Sequence, residues 1–277
     1  FWDPCRDYPN CPSLYSGIDD LDRPVVIESG DSHFYHREYT GHLMARENRA
    51  VCIRALSHQW RFDPGLSVLT DEPTRWDPTV VAPRVFYLPH GAYDEMVEAS
   101  RGVQKDCDVL FSGSDNAQAY PARARIAQAL RQHGDGLTVR WLPHPSDQPH
   151  DIIGPKFWRE VARARIAVAG TNAYRNLTMR YLEIPACGTL ALGDVPWPEG
   201  DRDAWARHMI PTEGLDVRTI AEAIRLALAD RHAIGRWPLA RRTAAAREFV
   251  LQRHSFRTEW ARVFGEIKTW VRTGRVT

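Results

Sequence analysis

The chain has almost no net charge. Over 277 residues, 36 Lys and Arg offset 35 Asp and Glu, leaving a formal +1. No whole-molecule field draws it to nucleic acid. No apolar run approaches the ~18 residues of a spanning helix, and mean hydropathy is −0.44. A soluble, cytoplasmic protein is expected. Cysteines number 5, an odd count, with no C-x-x-C and no Cys/His pair at zinc-finger spacing. Reduced thiols are the expectation. No basic start with an apolar middle marks a signal peptide. No initial Met is present either: the chain opens F-W-D-P, which reads like the exit of a strand and predicts sequence upstream of Phe1. Internal repeats and low-complexity tracts are also absent.

What is there is a large, ordinary apolar fraction. With 43% hydrophobic residues, the chain is long enough for one large or two ordinary domains. Charge is unevenly placed. From Arg231 onward there are eleven Lys or Arg against three Asp or Glu. Such an excess suits peripheral contact with an anionic membrane surface, or simply a solvated helix face.

Along the chain, short β-branched runs alternate with helical periodicity. Residues 1–24 read as loop. Strands are expected at 25–28, 50–54 and 84–88, with a helix at 34–48 and an irregular stretch at 57–83. A second series follows. It has strands at 108–114, 137–142, 166–170 and 189–192. Its helices are at 120–133, from Pro155, and at 177–186. Asp216 caps a helix over 217–229, and two more cover 238–253 and 256–272. This alternation predicts an α/β fold with parallel sheets and helical cover. The expected domains are 1–95 and 96–255, with residues 256–277 as a C-terminal helix packing across them.

Two segments carry chemistry. The strand ending at Phe111 runs into S-G-S, and ligands of doubly wound sheets sit beyond such strand ends. Gly113 would admit a ligand to the backbone, and Ser112 and Ser114 offer hydroxyls. Residues 180–188 read R-Y-L-E-I-P-A-C-G. A short helix here would present free N–H groups to a phosphate. Asn176, Thr178 and Arg180 crowd its start, and Glu183 lies one turn on, able to accept from two neighbouring hydroxyls such as those of a ribose. The residues alone equally admit a surface Arg180–Glu183 ion pair. Asp31 and His33 follow the first strand. Asp31 could cap the following helix with His33 packed beside it, or His33 could act as a base or hold a phosphate or sugar, oriented by Asp31.

The segment R-x-x-E-x-x-A-C-G, at Arg180, Glu183, Ala186, Cys187 and Gly188, resembles bacterial glycosyltransferases of the GT-B fold, in particular the CgeB-like branch. The D-V-x-F-x-G-S strand at 108–114 matches too, with an arginine soon after, Arg123. L-P-H-G at 88–91 and G-D-S-H at 30–33 resemble further segments. The resemblance implies two Rossmann-like domains facing a cleft, of which the first is here incomplete. It implies a nucleotide-sugar donor, a glycan or other hydroxyl acceptor, and no metal or other cofactor. The expected donor-binding residues are then Gly113, Ser114, Lys156, Asn176, Thr178, Arg180 and Glu183. His33 and Asp31 are the expected catalytic pair, activating the acceptor from the first domain.

The sequence departs from that pattern in two places. Many retaining members carry a second glutamate before the one matched by Glu183, and Arg175 stands at that position. Donor sugar and stereochemical outcome are therefore unassigned. Only three strands precede residue 89, about half a Rossmann-like domain. Both departures fit an alternative, a non-catalytic nucleotide- or carbohydrate-binding module. D-S-H at 31–33 raises a third reading, a metal-dependent phosphoesterase, but the G-N-H and H-x-H ligand runs of such enzymes are absent.

Overall fold

A computed structural model describes residues 24–29, 49–53, 85–87, 90–144, 150–172, 177–196, 202–229 and 238–273. The expected loop at 1–24, helix at 34–48 and irregular stretch at 57–83 lie essentially outside these residues. The chain divides into two units, Phe1–Pro89 with Glu259–Thr277, and His90–Thr258.

In the smaller unit, β1 (Val25–Ser29), β2 (Arg49–Ile53) and β3 (Val85–Tyr87) form a parallel sheet in the order β1-β2-β3. Ala50, Cys52 and Phe86 are buried there. They pack against Val263 and Trp270 of the last helix, with Trp260 and Ile267 beside them. These four helix positions recur at 260, 263, 267 and 270. That is the one-sided stripe that makes an amphipathic helix cover a sheet.

The larger unit holds five parallel strands: β4 (Cys107–Ser112), β5 (Val139–Leu142), β6 (Ala164–Val168), β7 (Leu190–Gly193) and β8 (Met209–Pro211). Their order is β5-β4-β6-β7-β8, every pairing parallel. Eight helices are described in the chain: α1 (Asp94–Ser100), α2 (Pro121–His133), α3 (Pro155–Arg163), α4 (Arg180–Ala186), α5 (Arg202–Arg207), α6 (Val217–Leu228), α7 (Leu239–Arg253) and α8 (Phe256–Thr273). Val109, Phe111, Ile166, Val168, Leu190, Leu192 and Ile210 share a core with Ile126, Leu130, Ile220 and Ile224 of α2 and α6. Near-continuous apolar strands are what a sheet covered on both faces requires. This is an α/β unit of Rossmann-like type.

The strand order has a consequence for function. The chain leaves β4 for β5 on one side, then crosses back to β6 on the other. In a doubly wound sheet that reversal opens a crevice outside the carboxyl ends of the strands. Here it lies beyond the ends of β4 and β6.

Three elements escape the sequence reading. Helices α1 and α5 are seven and six residues long, and each buries one side chain, Met96 and Trp205. So short a piece has no visible period. Strand β8 is three residues ending in Pro211, tolerable only at a sheet edge. Other features match. Asp216 accepts from the Thr219 N–H at 2.8 Å. Pro121 and Pro155 open their helices, where a missing N–H costs nothing.

Helix α4 starts three residues later than expected and spans seven. Pro185 sits inside its last turn and does not end it. The stop comes at Gly188, with φ of +70°. Gly188 N–H donates to Pro185 at 2.9 Å and Thr189 N–H to Ile184 at 3.1 Å. Those paired bonds are a Schellman motif, whose left-handed residue is most often glycine. The A-C-G close is thus a helix stop that sends the chain into β7.

Candidate functional site

Glu183 is the centre of the constellation. It is 9% exposed, at the end of the first turn of α4. Its Oε1 accepts from the Trp158 indole N–H at 3.0 Å, and its Oε2 from Arg180 Nη1 at 2.7 Å. Each oxygen therefore has one donor. An ionised carboxylate accepts about four hydrogen bonds, so each oxygen keeps capacity for another. The flanking groups hold the carboxylate in place. Arg180 is itself held, with its guanidinium 3.9 Å over the Phe157 ring. The pair is not the surface contact that the spacing alone allowed: side-chain exposures are 22% and 12%.

Glu183 and Arg180 border a cavity of about 230 Å3 at the carboxyl ends of β4 and β5. Ser112 and Gly113 form one wall, Leu142, Pro143 and His144 a second, and Ile152, Ile153 and Gly154 a third. Ile153 is 63% exposed, an apolar lip of the kind a flat ring covers. His150 fastens this rim. Its Nδ1 accepts from the Ile152 N–H at 3.2 Å, which leaves Nε2 protonated to donate to the Pro143 carbonyl at 3.0 Å.

The structure brings three of the expected donor residues to this cavity: Gly113, Arg180 and Glu183. It does not bring the other described ones. Ser114 turns away, and its hydroxyl accepts from the Asn116 N–H at 3.3 Å. The hydroxyl residue on the wall is Ser112, which is 2% exposed. Thr178 donates to the Gly170 carbonyl at 3.1 Å and so ties the approach of α4 to the end of β6. Lys156 pairs with Asp151 and lines a separate groove with Arg159, Glu160 and Arg163. The reason is helical spacing. Lys156 and Glu160 share one stripe of α3, whereas Phe157 and Val161 share the buried one. Asn176, Asp31 and His33 lie outside the described residues. The phosphate role expected for the start of α4 also weakens. Seven residues make fewer than two turns, too few for a sizeable dipole.

Cys187 of the A-C-G segment is 3% exposed, and burial pushes its thiol up to about 12. It is a packing residue. Among the described residues, no three His, Cys, Asp or Glu side chains gather as a metal ion would need. Among them, no helix is long and apolar enough to cross a membrane.

Beside the cavity, at the β4/β6 crevice, stands Arg123, on the first turn of α2. It is 6% exposed, and its Nε has no hydrogen-bond partner. A Cβ on Gly170 would come within 2.6 Å of its Cγ, and one on Gly113 within 3.1 Å of its Nη1. The stem thus lies on one glycine and the tip against the other. Its guanidinium stacks 4.2 Å from the Tyr120 ring centroid. Desolvation first, and then the charge of Arg180, lowers its pKa. Asp194 is the nearby acid, and its charge favours the ionised Arg123, while its hydrogen bonds go to other groups. Its Oδ2 accepts from the Thr171 hydroxyl, and its Oδ1 from the Thr171 N–H at 3.0 Å and the Tyr181 hydroxyl at 3.0 Å. The sequence signal for Trp158 and Asp194 is slight: an aromatic on a helix and a polar residue at a strand end.

No family model matches the chain, and no curated protein does. Among solved structures, a sucrose-phosphate synthase from Thermosynechococcus elongatus is similar, at 14% identity and a TM-score of 0.49. The match covers 93% of this chain and 70% of that one. A likeness this distant leaves the function to be argued from the chain's own residues.

Proposed function

We propose that the chain is a glycosyltransferase using a nucleotide-sugar donor, with the donor held by the unit His90–Thr258. The observation that carries this is Glu183. It is a carboxylate anchored from both sides, with acceptor capacity left on both oxygens, in a cavity at the carboxyl ends of β4 and β5. Two adjacent hydroxyls, as on a ribose, are the natural complement of two adjacent acceptors. The apolar lip at Ile153 suits a base ring. At about 230 Å3, the cavity falls below the ~300–1,000 Å3 of drug-sized ligand sites. It suits the nucleoside part of a donor, with phosphates and sugar extending toward the β4/β6 crevice.

The resemblance carried by R-x-x-E-x-x-A-C-G supports the same reading and adds its larger frame. That frame is a GT-B arrangement of the CgeB-like kind, with boundaries near residues 95 and 255. In it, Asp31 and His33 activate an acceptor hydroxyl from the first domain, no metal is needed, and the last helix packs across both. A cytoplasmic enzyme touching anionic membrane through its basic C-terminal helices fits the charge count. In the reaction, the glycosidic bond from sugar to diphosphate breaks and the acceptor oxygen takes the anomeric carbon. The nucleoside diphosphate departs with the bonding pair, and fixed positive charge near the phosphates stabilises it.

Mass spectrometry of products from a mixed library of nucleotide sugars and acceptors tests this. Sugar transfer is expected from one donor, falling at least ~100-fold in Glu183→Ala, as for sites whose designed hydrogen bonds are removed. Transfer unaffected by Glu183→Ala would remove the ribose role. Donor binding without any transfer would favour the non-catalytic module, for which Arg175 in place of a second glutamate also speaks.

A further inference from the structure

We propose that His150 is a positioning residue of the Glu183 cavity and serves only as the neutral imidazole, so that nucleotide-sugar binding weakens as the ring takes up a second proton. The inference rests on the donor reading for its ligand. It does not rest on that reading for the wall that His150 holds.

Three observations carry it. The first is where the ring sits. His150 is half-buried and lines the cavity with Glu183 and Arg180. It joins two of the cavity walls, one through the Pro143 carbonyl and one through the Ile152 N–H. The second is polarity. A backbone N–H only donates, so Nδ1 accepts at 3.2 Å, and the proton stays on Nε2 for the carbonyl at 3.0 Å. One neutral tautomer serves both walls. A second proton leaves the bond to Pro143 in place and makes Nδ1 a donor facing a donor. The bond to Ile152 is then lost.

The third observation is what that bond holds. Residues 150–154 form the short wall that leads into α3. Its far end is fixed where the Trp158 N–H donates to the Gly154 carbonyl at 3.0 Å. Within it, the Ile153 N–H donates to the Asp151 carbonyl at 3.0 Å. Its near end is held by His150. Ile153, the exposed apolar lip, lies between these two anchors. When one anchor is released, the lip leaves the geometry that suits a base ring. A ligand must then order it again on binding, which costs affinity.

The charged groups around the ring do not supply this pH dependence. Asp151 adjoins it, and Lys156, first through its hydrogen bond, holds the Asp151 carboxyl below its usual range. Across the cavity, Glu183 and Arg180 pair with each other. His144, on the second wall, is the other imidazole among the lining residues. Imidazoles change charge between about pH 5 and 8, so the test must separate the two histidines.

It uses the full chain and a panel of nucleotide sugars, whose esterified phosphates keep a constant charge over this range. Calorimetric affinity of the wild type is expected to fall about fivefold from about pH 7.5 to about pH 5.5, as for one hydrogen bond. His150→Gln keeps a donor for Pro143 and does not titrate. It is expected to bind at the acid wild-type level at both pH values. A histidine with a merely structural role would weaken binding on replacement and leave the slope with pH unchanged. An equally steep fall in His150→Gln overturns the inference, as does a flat wild-type profile or a fall that His144→Gln abolishes instead. A ligand-free measurement separates the inference from the donor reading. NMR of isotope-labelled protein is expected to show the Nε2–H tautomer of His150 at about pH 7.5, and an Ile152 amide signal that moves with the ring as pH falls. An Nδ1–H tautomer, or an Ile152 amide that ignores the ring, overturns the inference even where nucleotide sugars bind. The two signals moving together in a chain that binds no nucleotide sugar keep the positioning role and remove the donor reading. The same spectra decide if His150→Gln does not fold.

Discussion

Lys105 and Arg123 are cations at opposite edges of the same parallel sheet, and their surroundings differ in kind. Lys105 lies at the amino-terminal edge. Its ammonium donates to the Ala164 carbonyl at 2.8 Å, the Gly188 carbonyl at 2.6 Å and the Thr189 hydroxyl at 2.9 Å. Three donors meet three acceptors, and nothing is left to bind. Thr189 is itself fully buried and donates onward to the Val161 carbonyl at 2.8 Å. The neighbouring ion pairs close the same edge: Arg163 holds Asp106 through two nitrogens, and Arg140 reaches both Asp106 and Glu160. At the carboxyl-terminal edge, Arg123 has no such complement, and Glu183 has acceptor capacity to spare. One edge is finished by the chain itself. The other keeps unused capacity among the described residues, at the edge where the crossover logic of doubly wound sheets puts ligands.

This contrast can be broken from either side. The largest effect is expected at the carboxyl-terminal edge, from Gly170→Ala. Its Cβ would meet Arg123 Cγ at 2.6 Å, near the root of that side chain where little can give. Overpacking of this kind costs ~1–3 kcal/mol, and displacement of Arg123 should lower donor affinity as well. Denaturant unfolding and nucleotide-sugar titration read the two together. Loss of stability with affinity intact would separate Arg123 from binding.

Thr189→Val tests the other edge. The valine has a similar shape but no hydroxyl, so Val161 loses a buried donor and Lys105 an acceptor. The Val161 carbonyl keeps the Ala164 N–H, so the expected loss is that of one hydrogen bond, ~0.5–1.5 kcal/mol. Ligand affinity should not move, and a weaker ligand response would mean that the two edges are coupled.

The smallest effect is expected from Lys105→Met, because the freed Gly188 carbonyl can turn to water. Roughly 0.5–1 kcal/mol at neutral pH is reasonable for such an exchange. Its signature is in the pH dependence. Desolvation lowers Lys105 to about 8, against ~10.4 in an unfolded chain. Between those values the unfolded state binds more protons, so this group makes stability rise with pH and loses that contribution as pH falls through about 8. The advantage of wild type over Lys105→Met should widen from pH 8 to 10 in urea unfolding. A gap that narrows would mean that the three acceptors hold the ammonium charged.

Much of this architecture is legible in the sequence, for identifiable reasons. Strands such as Val109–Phe111 and Ile166–Val168 are continuous apolar runs because both faces of the sheet are covered. Helix α2 shows its buried face through Ala122, Ile126, Ala129 and Leu130. The short α1, α5 and β8 left no comparable mark. At the site, Gly113, Arg180 and Glu183 were readable because their spacing fixes their geometry: a glycine at a strand end, and a pair three apart on one helix. Lys156 was misplaced because its charge was weighed without its stripe on α3. The role of Trp158 depends on how α3 meets α4, across 25 residues of chain. Arg123 is the most instructive case. The sequence marks it only as an arginine following a matched strand, and the fold adds that two glycines let it sink into the crevice.

The central claim is that the carboxyl-terminal edge receives a nucleoside diphosphate through Glu183. Calorimetric titration of the full chain with a panel of nucleoside diphosphates tests it most directly. Saturable 1:1 binding of at least one is predicted, weakened at least ~100-fold in Glu183→Ala with the thermal unfolding profile preserved. Equal affinity in Glu183→Ala, or no binding by any member of the panel, would contradict it.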